Sequence, residues 1–170
     1  LQAEHGFGLI DIKEIRVFAP PLVRQLVDRL PSPGMAASYA RLCLPYVVAT
    51  ALLRGTVDVA DFERDALDDP SRHALAQKIQ VRADGSPAPN TLAPQRVEVD
   101  LTDGRSIGMD LAAVLGAPGR PLSRTQHLDK FHRAARSGLR PMSDSSVASL
   151  IDLPDHLPEL EDVTVLIDHM

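Results

Sequence analysis

Apolar and polar residues alternate twice in the middle of the chain, over residues 96–102 and again over 107–111. Such alternation is typical of strands that have one buried face and one wet face. A two-residue turn between the strands would put the two apolar sets on opposite faces of the sheet. A three-residue loop that ends at a left-handed Gly104 instead pairs Val99 with Ile107. The pattern therefore predicts a hairpin with a bulged turn.

Two more segments, 12–17 and 79–83, also carry apolar residues at strand spacing. The other elements are predicted to be helices, from the positions of prolines, capping residues and apolar residues. These helices run from about 22 to 30, from Pro45 to Arg54, from Asp58 to Phe62, from Pro70 onward and from Ser123 onward, with two short ones after Pro141. Because the strands are confined to a hairpin and two flanking segments, the fold class is α+β, a small largely antiparallel sheet covered by helices.

Composition places the chain among soluble globular proteins, with 44% hydrophobic and 24% charged residues in a length of 170. We expect one domain over residues 1–170, in which 137–170 is a helical tail. The formal net charge of −5 indicates neither a nucleic-acid partner nor a membrane surface. The longest apolar run, 44–53, is too short to cross a bilayer. The single cysteine, Cys43, rules out an internal disulfide and fits a reducing compartment, so we predict a cytoplasmic protein.

The first residues of the chain resemble the last turn of a helix that begins before residue 1. Residues 1–5 have helical character, and Gly6 would end that helix. The chain also begins with Leu1 in place of an initiator methionine. We therefore expect it to be a fragment.

Familiar catalytic and cofactor motifs are missing from this sequence. It has no G-x-S-x-G elbow, phosphate loop or G-x-G-x-x-G fingerprint. None of its six histidines are paired at the i, i+4 spacing of a helical zinc site, and His127 and His132 fall on different helix faces. We therefore predict neither a metal nor a cofactor.

Tyr46 is the candidate site residue, because it lies in the first turn of the helix predicted over 45–54. One interpretation is a core tyrosine whose hydroxyl is satisfied by protein groups. The other is a phenol beside free helix N–H donors, a place suited to a carboxylate or a developing enolate. Cys43 also lies near this helix start, but we interpret it as an inert core residue more readily than as a reactive thiolate.

The sequence A-R-L-C-L-P-Y-V-V-A over residues 40–49, with A-L-L and Gly55 after it, resembles a signature of the MmgE/PrpD family. That family includes 2-methylcitrate dehydratase, cis-aconitate decarboxylase and iminodisuccinate epimerase. Three further segments, 57–62, 97–105 and 118–131, resemble the family in the same order. The resemblance covers about residues 1–136. One departure is Leu-Cys at positions 42 and 43, where the family usually has Phe-Ser.

The resemblance implies a two-domain enzyme, expected to be a homodimer, that needs no metal or organic cofactor. An all-helical domain would precede this region, and the present α/β domain would act as a lid over a shared cleft. Most catalytic residues of such enzymes lie in the helical domain or in a K-x-Y-P motif just before the lid, and this chain has no such motif. Tyr46 matches a family active-site position, where it would face the substrate and help to position or protonate it.

Two hypotheses of different class follow from this resemblance. The first is the C-terminal lid of a lyase that dehydrates 2-methylcitrate or decarboxylates a cis-aconitate-type polycarboxylate and is inactive without its helical domain. A family isomerase or epimerase is an alternative within it. The second is a non-catalytic interaction domain of the same fold that binds a helical partner. The first expects Tyr46 on an open concave face with polar neighbours, and the second expects it to be buried.

Overall fold

The computed structural model describes residues 1–169. They form two compact units, which meet in the sequence at Pro121 and Leu122. The helix that begins after Ser123 belongs to the second unit, together with the residues that follow it. One domain over residues 1–170 with a tail from residue 137 stays a prediction.

The first unit is built on a four-stranded sheet whose strand order is β2-β1-β3-β4. The strands are β1 (Ile12–Ala19), β2 (Ile79–Ala83), β3 (Gln95–Leu101) and β4 (Ser106–Leu111). Strand β1 pairs with β2 in parallel and with β3 antiparallel, and β3 pairs antiparallel with β4. The prediction of an α+β fold with a largely antiparallel sheet is confirmed.

The predicted hairpin register is also confirmed. Val99 lies opposite Ile107, as the apolar pattern required. The turn closes where the Leu101 N–H donates to the carbonyl of Arg105 over 2.8 Å, and Gly104 has a φ of 90°. A left-handed glycine lets the three-residue loop reverse the chain while both apolar sets stay on one face.

The helices of the first unit are α1 (Gln2–His5), α2 (Pro21–Val27), α3 (Ala37–Ala40), α4 (Leu44–Arg54), α5 (Arg64–Leu67) and α6 (Pro70–Ala76). Single 3-10 turns lie at Leu9–Asp11 and Val59–Phe62. Helix α2 is shorter than predicted, and the segment predicted as a helix from Asp58 is a 3-10 turn. Helix α4 matches its prediction to one residue, with Pro45 in its first turn and a left-handed Gly55 as its C-cap.

Helix α4 contributes side chains to more than one apolar cluster of the first unit. Ala49 packs with the apolar face of the sheet and with Leu75 of α6. One turn earlier in α4, Tyr46 belongs to a second cluster, with Met35 and Leu67 among its members. The helix therefore connects the sheet to the segment that follows it in sequence, residues 56–69.

The opposite face of the sheet is polar and carries a ladder of ion pairs. The Arg16 guanidinium donates to Glu98 and to Asp100 on the neighbouring strand, each over 3.1 Å. Farther along the same face, Arg96 pairs with Glu98 at 3.0 Å and with Asp110 at 2.9 Å. These side chains are partly exposed, so the ladder is a hydrated surface of the first unit.

The second unit contains two longer helices, α7 (Arg124–Arg136) and α8 (Asp144–Asp155), followed by 3-10 turns at Leu157–Glu159 and Val163–His169. The predicted capping box is confirmed, since Ser123 accepts from the Gln126 N–H and its own N–H donates to the Gln126 side chain. Within residues 1–169, no helix combines the length and the apolar character needed to cross a membrane.

Candidate functional site

Tyr46 has no exposed surface in this domain. Its hydroxyl oxygen lies 2.7 Å from the carbonyl oxygen of Asp61 and 2.9 Å from that of Ala66. A phenol has a single proton, so the two carbonyls share one donor. The tyrosine thereby ties α4 to two points of the segment 56–69.

The ring of Tyr46 is enclosed by other side chains. The ring of Phe62 lies 6.2 Å away between centroids and the imidazole of His73 lies 6.3 Å away. His73 is itself buried, and its Nε2 donates to the carbonyl oxygen of Leu67 over 2.7 Å. The expectation that Tyr46 lines an open concave face is therefore wrong for the described domain. The catalytic role assigned to Tyr46 stays a prediction.

A buried arginine completes the surroundings of Tyr46. Arg72 of α6 is only 6% exposed, and its Nη1 lies 3.4 Å from the Tyr46 hydroxyl and 3.3 Å from Thr50 Oγ1. Its Nη2 lies 2.9 Å from Asp61 Oδ1, and its Nε lies 3.3 Å from Asp69 Oδ2. Each nitrogen of the guanidinium thus faces an oxygen atom, which is how a charged group is accommodated in an apolar interior.

Asp61 supplies the main negative charge of this cluster. Its carboxylate is 1% exposed, and Oδ2 accepts from the Asp58 N–H over 2.8 Å in the cap of the 3-10 turn. Oδ1 lies between two cations, 2.9 Å from Arg72 and 3.2 Å from Arg54 Nε. Neither approach has the angles of a good hydrogen bond, so these are ion pairs held mainly by charge.

Burial keeps the phenol of Tyr46 neutral. Burial raises the pKa of Tyr46, and the nearby Arg72 charge only partly opposes this effect. For Asp69 burial acts to raise the pKa, but hydrogen bonds from the Ser71 N–H and from Arg72 outweigh it and hold the pKa below its usual value. The site therefore combines a neutral phenol, a fixed cation and, at Asp69, a carboxylate that stays ionised. Such a phenol can donate a hydrogen bond or a proton but is poorly suited to act as a base.

The sequence pattern indicated Tyr46 as a site residue but did not indicate Arg72, Asp61 or Thr50. A signal for Arg72 existed, because residues 72, 75, 76 and 79 repeat at the spacing of an apolar helix face. An arginine at such a position indicates a buried charge that requires partners. No comparable signal marks Asp61, since its role depends on the distant α6.

Cys43 lies at the N-cap of α4 and is completely buried. Its thiol donates to the carbonyl oxygen of Arg29 over 3.1 Å, and it makes no side-chain capping bond to α4. Burial raises the pKa of the thiol, which disfavours the thiolate needed for nucleophilic chemistry. The geometry agrees with the inert interpretation of this cysteine. Across residues 1–169, no three His, Cys, Asp or Glu side chains gather where they could hold a metal ion.

Comparison with known proteins gives this domain a family. The profile of the MmgE/PrpD C-terminal domain matches residues 1–151. Cis-aconitate decarboxylase from Mus musculus is 28% identical over 129 residues, which are 75% of this chain and 26% of the relative. The Homo sapiens protein of the same name is 30% identical over the same shares of the two chains. The chain thus spans about a quarter of the length of these relatives. With residues 1–151 matching that profile, this chain belongs to the MmgE/PrpD family.

Proposed function

We propose that this chain is the lid domain of a lyase that acts on a small polycarboxylate. The observation that carries the proposal is the family match over residues 1–151, since both relatives compared above are named cis-aconitate decarboxylase. Dehydration of 2-methylcitrate or decarboxylation of a cis-aconitate-type acid is the proposed reaction. We propose a cytoplasmic homodimer for the enzyme, in which an all-helical domain forms the other wall of the cleft.

Both reactions begin beside a carboxylate. Dehydration removes a proton from the carbon next to a carboxylate and expels water, whereas decarboxylation releases carbon dioxide and adds a proton to carbon. Each needs a positioned acid or base and hydrogen-bond donors that hold carboxylates. A lid that closes over the substrate excludes water and adds a few such donors. We assign that part of the reaction to this domain, and the base to the helical domain.

Tyr46 is the residue that we propose for direct work on the substrate. Its raised pKa suits a phenol that stays protonated and donates to a carboxylate or to a developing enolate. In the isolated domain the hydroxyl is committed to the carbonyls of Asp61 and Ala66. Contact with a substrate therefore requires the segment 56–69 to release those carbonyls when the two domains meet.

The test compares the full-length protein with this chain alone. Each is incubated with cis-aconitate and with 2-methylcitrate, and substrate loss and product formation are followed by proton NMR. We expect turnover of one substrate by the full-length protein and none by the chain alone. Absence of turnover of either acid by the folded full-length protein overturns the lyase proposal.

The role of Tyr46 is tested by Tyr46→Phe, with Tyr39→Phe as the matched control. Tyr39 is only half-buried and packs against the same apolar cluster as Tyr46, but its hydroxyl donates to the Leu30 carbonyl and takes no part in the Tyr46 hydrogen bonds. We expect Tyr46→Phe in the full-length protein to lower kcat about 10²-fold, the usual size of the loss of one acid or donor. Wild-type turnover by that variant overturns the assignment.

An isomerase or epimerase of the same family is separated by its products. Such an enzyme removes and returns the proton next to the carboxylate, with no loss of water or carbon dioxide. In deuterated water it would exchange that proton for deuterium, and its product would keep all the carbon and oxygen atoms of the substrate. A product lacking water or carbon dioxide supports the lyase instead.

A second candidate function is favoured by one observation, the complete burial of Tyr46. A non-catalytic domain of this fold would use the tyrosine only for packing and would bind a helical partner through its surface. Calorimetric titration of this chain with a separately produced helical domain measures such binding. Binding without turnover by the full-length protein supports this function, and binding with turnover supports the lid.

A further inference from the structure

The guanidinium of Arg72 is a buried cation to which the function proposed above assigns no task. Its helix, α6, packs beside α4, and both helices contribute to the apolar core. Burying an arginine is costly unless every donor finds a partner. The identity of those partners therefore indicates what the residue is for.

Arg72 divides its donors between two kinds of acceptor. Nε and Nη2 face carboxylates, those of Asp69 and Asp61, which balance its charge. Nη1 faces two neutral hydroxyls, those of Tyr46 at 3.4 Å and Thr50 at 3.3 Å. Neutral hydroxyls add little to charge balance, so this third nitrogen orients α4 side chains rather than compensating the cation.

The Tyr46 hydroxyl has one proton to donate and lone pairs that can accept hydrogen bonds. The phenol proton points towards the carbonyls of Asp61 and Ala66, at 2.7 and 2.9 Å. The phenol oxygen still has lone pairs, and Arg72 is a donor beside it. Because the carbonyls and the guanidinium approach from different elements, the hydroxyl is held from both its donor and its acceptor sides.

We propose that Arg72 is a positioning residue for the Tyr46 phenol. The proposal rests on the function proposed above, because the phenol is the group that we assign to the substrate. Arg72 and Thr50 lie on α6 and α4, whereas the two carbonyls lie on the segment 56–69. When the two carbonyls release the hydroxyl, the guanidinium is still held by Asp69, the N-cap residue of its own helix. It therefore keeps the phenol oxygen in place and leaves the phenol proton free to donate. Arg72 acts through Tyr46 and has no contact with substrate in this assignment.

The first test uses this chain and needs no activity. The sequence has two tyrosines and no tryptophan, so Tyr39→Phe leaves Tyr46 as the sole tyrosine signal. In that background, Arg72→Met and Arg72→Lys are compared by the ¹³Cζ resonance of Tyr46 at neutral pH and during alkaline titration. We expect Arg72→Met to move the resonance and to raise the titration midpoint by about one pH unit, since a nearby positive charge is lost. Arg72→Lys keeps the charge and should recover most of the shift in midpoint.

The second test measures kcat and KM of the same Arg72 variants in the full-length protein. We expect Arg72→Met to lower kcat by 10-fold or more with little change in KM, because a misplaced phenol affects the reacting state most. Arg72→Lys should recover part of kcat, since a lysine lacks the planar fork. The control is Arg105→Met, which removes an arginine whose side chain is 55% exposed and paired with Asp103 in the hairpin turn, outside the segment 56–69. It should change neither the resonance nor kcat.

The outcomes separate this proposal from the function on which it rests. An unmoved Tyr46 resonance in folded Arg72→Met overturns the positioning role, even if the lyase proposal stands. A moved resonance with unchanged kcat also overturns it, because the phenol would then have no part in the reaction. A full-length protein inactive on both acids overturns the proposed function, whereas the resonance still reports whether Arg72 holds the phenol. If Arg72→Met does not fold, Arg72→Lys decides the question, since it retains the charge beside Asp61.

Discussion

Tyr46 and Asp61 are linked in two ways. The hydroxyl of Tyr46 donates to the main-chain carbonyl of Asp61 over 2.7 Å, and the Asp61 carboxylate pairs at 2.9 Å with Arg72, which also reaches the Tyr46 oxygen. Tyr46 is thereby attached to the 3-10 turn Val59–Phe62 directly, through the Asp61 carbonyl, and indirectly, through Arg72 and the Asp61 carboxylate. The position of that turn depends on polar contacts inside an apolar cluster, and such contacts are costly to break.

Tyr46→Phe should destabilise this chain even where no reaction is measured. The change leaves two carbonyls, those of Asp61 and Ala66, without their shared donor in a buried place. We expect a loss of about 1–3 kcal/mol in the free energy of unfolding, measured by urea denaturation. Tyr39→Phe should cost less, because Tyr39 is only half-buried. Equal losses for the two variants would contradict the buried network.

Asp61→Asn should be among the most damaging single substitutions in the first unit. It removes a negative charge beside Arg72 while keeping the size of the side chain, and only Asp69 then balances that arginine. We expect a loss of about 3 kcal/mol in the free energy of unfolding, as for a broken buried ion pair.

The control for that experiment is Asp110→Asn, which also replaces a carboxylate paired with an arginine. The Asp110 side chain is 74% exposed, so its pair with Arg96 is screened by water. We expect a change of at most about 0.5 kcal/mol. Similar losses at the two positions would show that burial does not set the strength of the Asp61 pair.

The polar face of the sheet should make stability depend on pH in acid. Hydrogen bonds from Arg16 and Ser106 lower the pKa of Asp100, and those from Arg96 and Arg16 lower the pKa of Glu98. A lowered pKa in the folded state means that the unfolded chain binds more protons in this range. The carboxylates therefore stabilise the fold above their ordinary pKa values, and this contribution is lost as the pH falls below about 4.

Arg16→Met tests the origin of that dependence. We expect the free energy of unfolding to fall less steeply between pH 5 and pH 2 in the variant than in the wild type. Without Arg16, the pKa values of Asp100 and Glu98 lie closer to those in the unfolded chain, so unfolding takes up fewer protons. Arg82→Met is the control, because the described hydrogen bond of Arg82 on this face goes to the neutral Gln80. An unchanged slope in Arg16→Met would rule out Arg16 as the cause.

Two glycines of the hairpin should respond differently to replacement by alanine. Gly104 has a φ of 90°, a conformation that L side chains rarely adopt, so Gly104→Ala should cost about 1–2 kcal/mol. At Gly108 an added Cβ would lie 2.8 Å from Arg96 Nη2, the end of a flexible side chain. That arginine can move aside, so Gly108→Ala should change stability by less than about 1 kcal/mol. Thermal unfolding of both variants measures the difference, and a reversed order would contradict the turn geometry.

The sequence by itself determined the local structure of this protein. The alternation around Val99 and Ile107 set the hairpin register, because a one-residue slip would move a whole apolar set to the wet face. Pro45 and Gly55 marked the ends of α4, because proline lacks an N–H and glycine tolerates the left-handed cap. The same segment carried the resemblance that led to the family. These features depend on neighbours in the chain, which a sequence displays directly.

Only the tertiary structure decided what surrounds Tyr46. The groups that bind its hydroxyl come from residues 61, 66 and 72, on the three consecutive elements that follow α4, 15 to 26 residues from Tyr46 in the sequence. Sequence spacing placed the tyrosine at a helix start, a place compatible with either an open cleft or a core. Packing of α6 and the segment 56–69 against α4 buried it and brought a charged arginine beside it. The burial of Tyr46 and its contact with Arg72 thus result from long-range packing, for which the local sequence has no pattern.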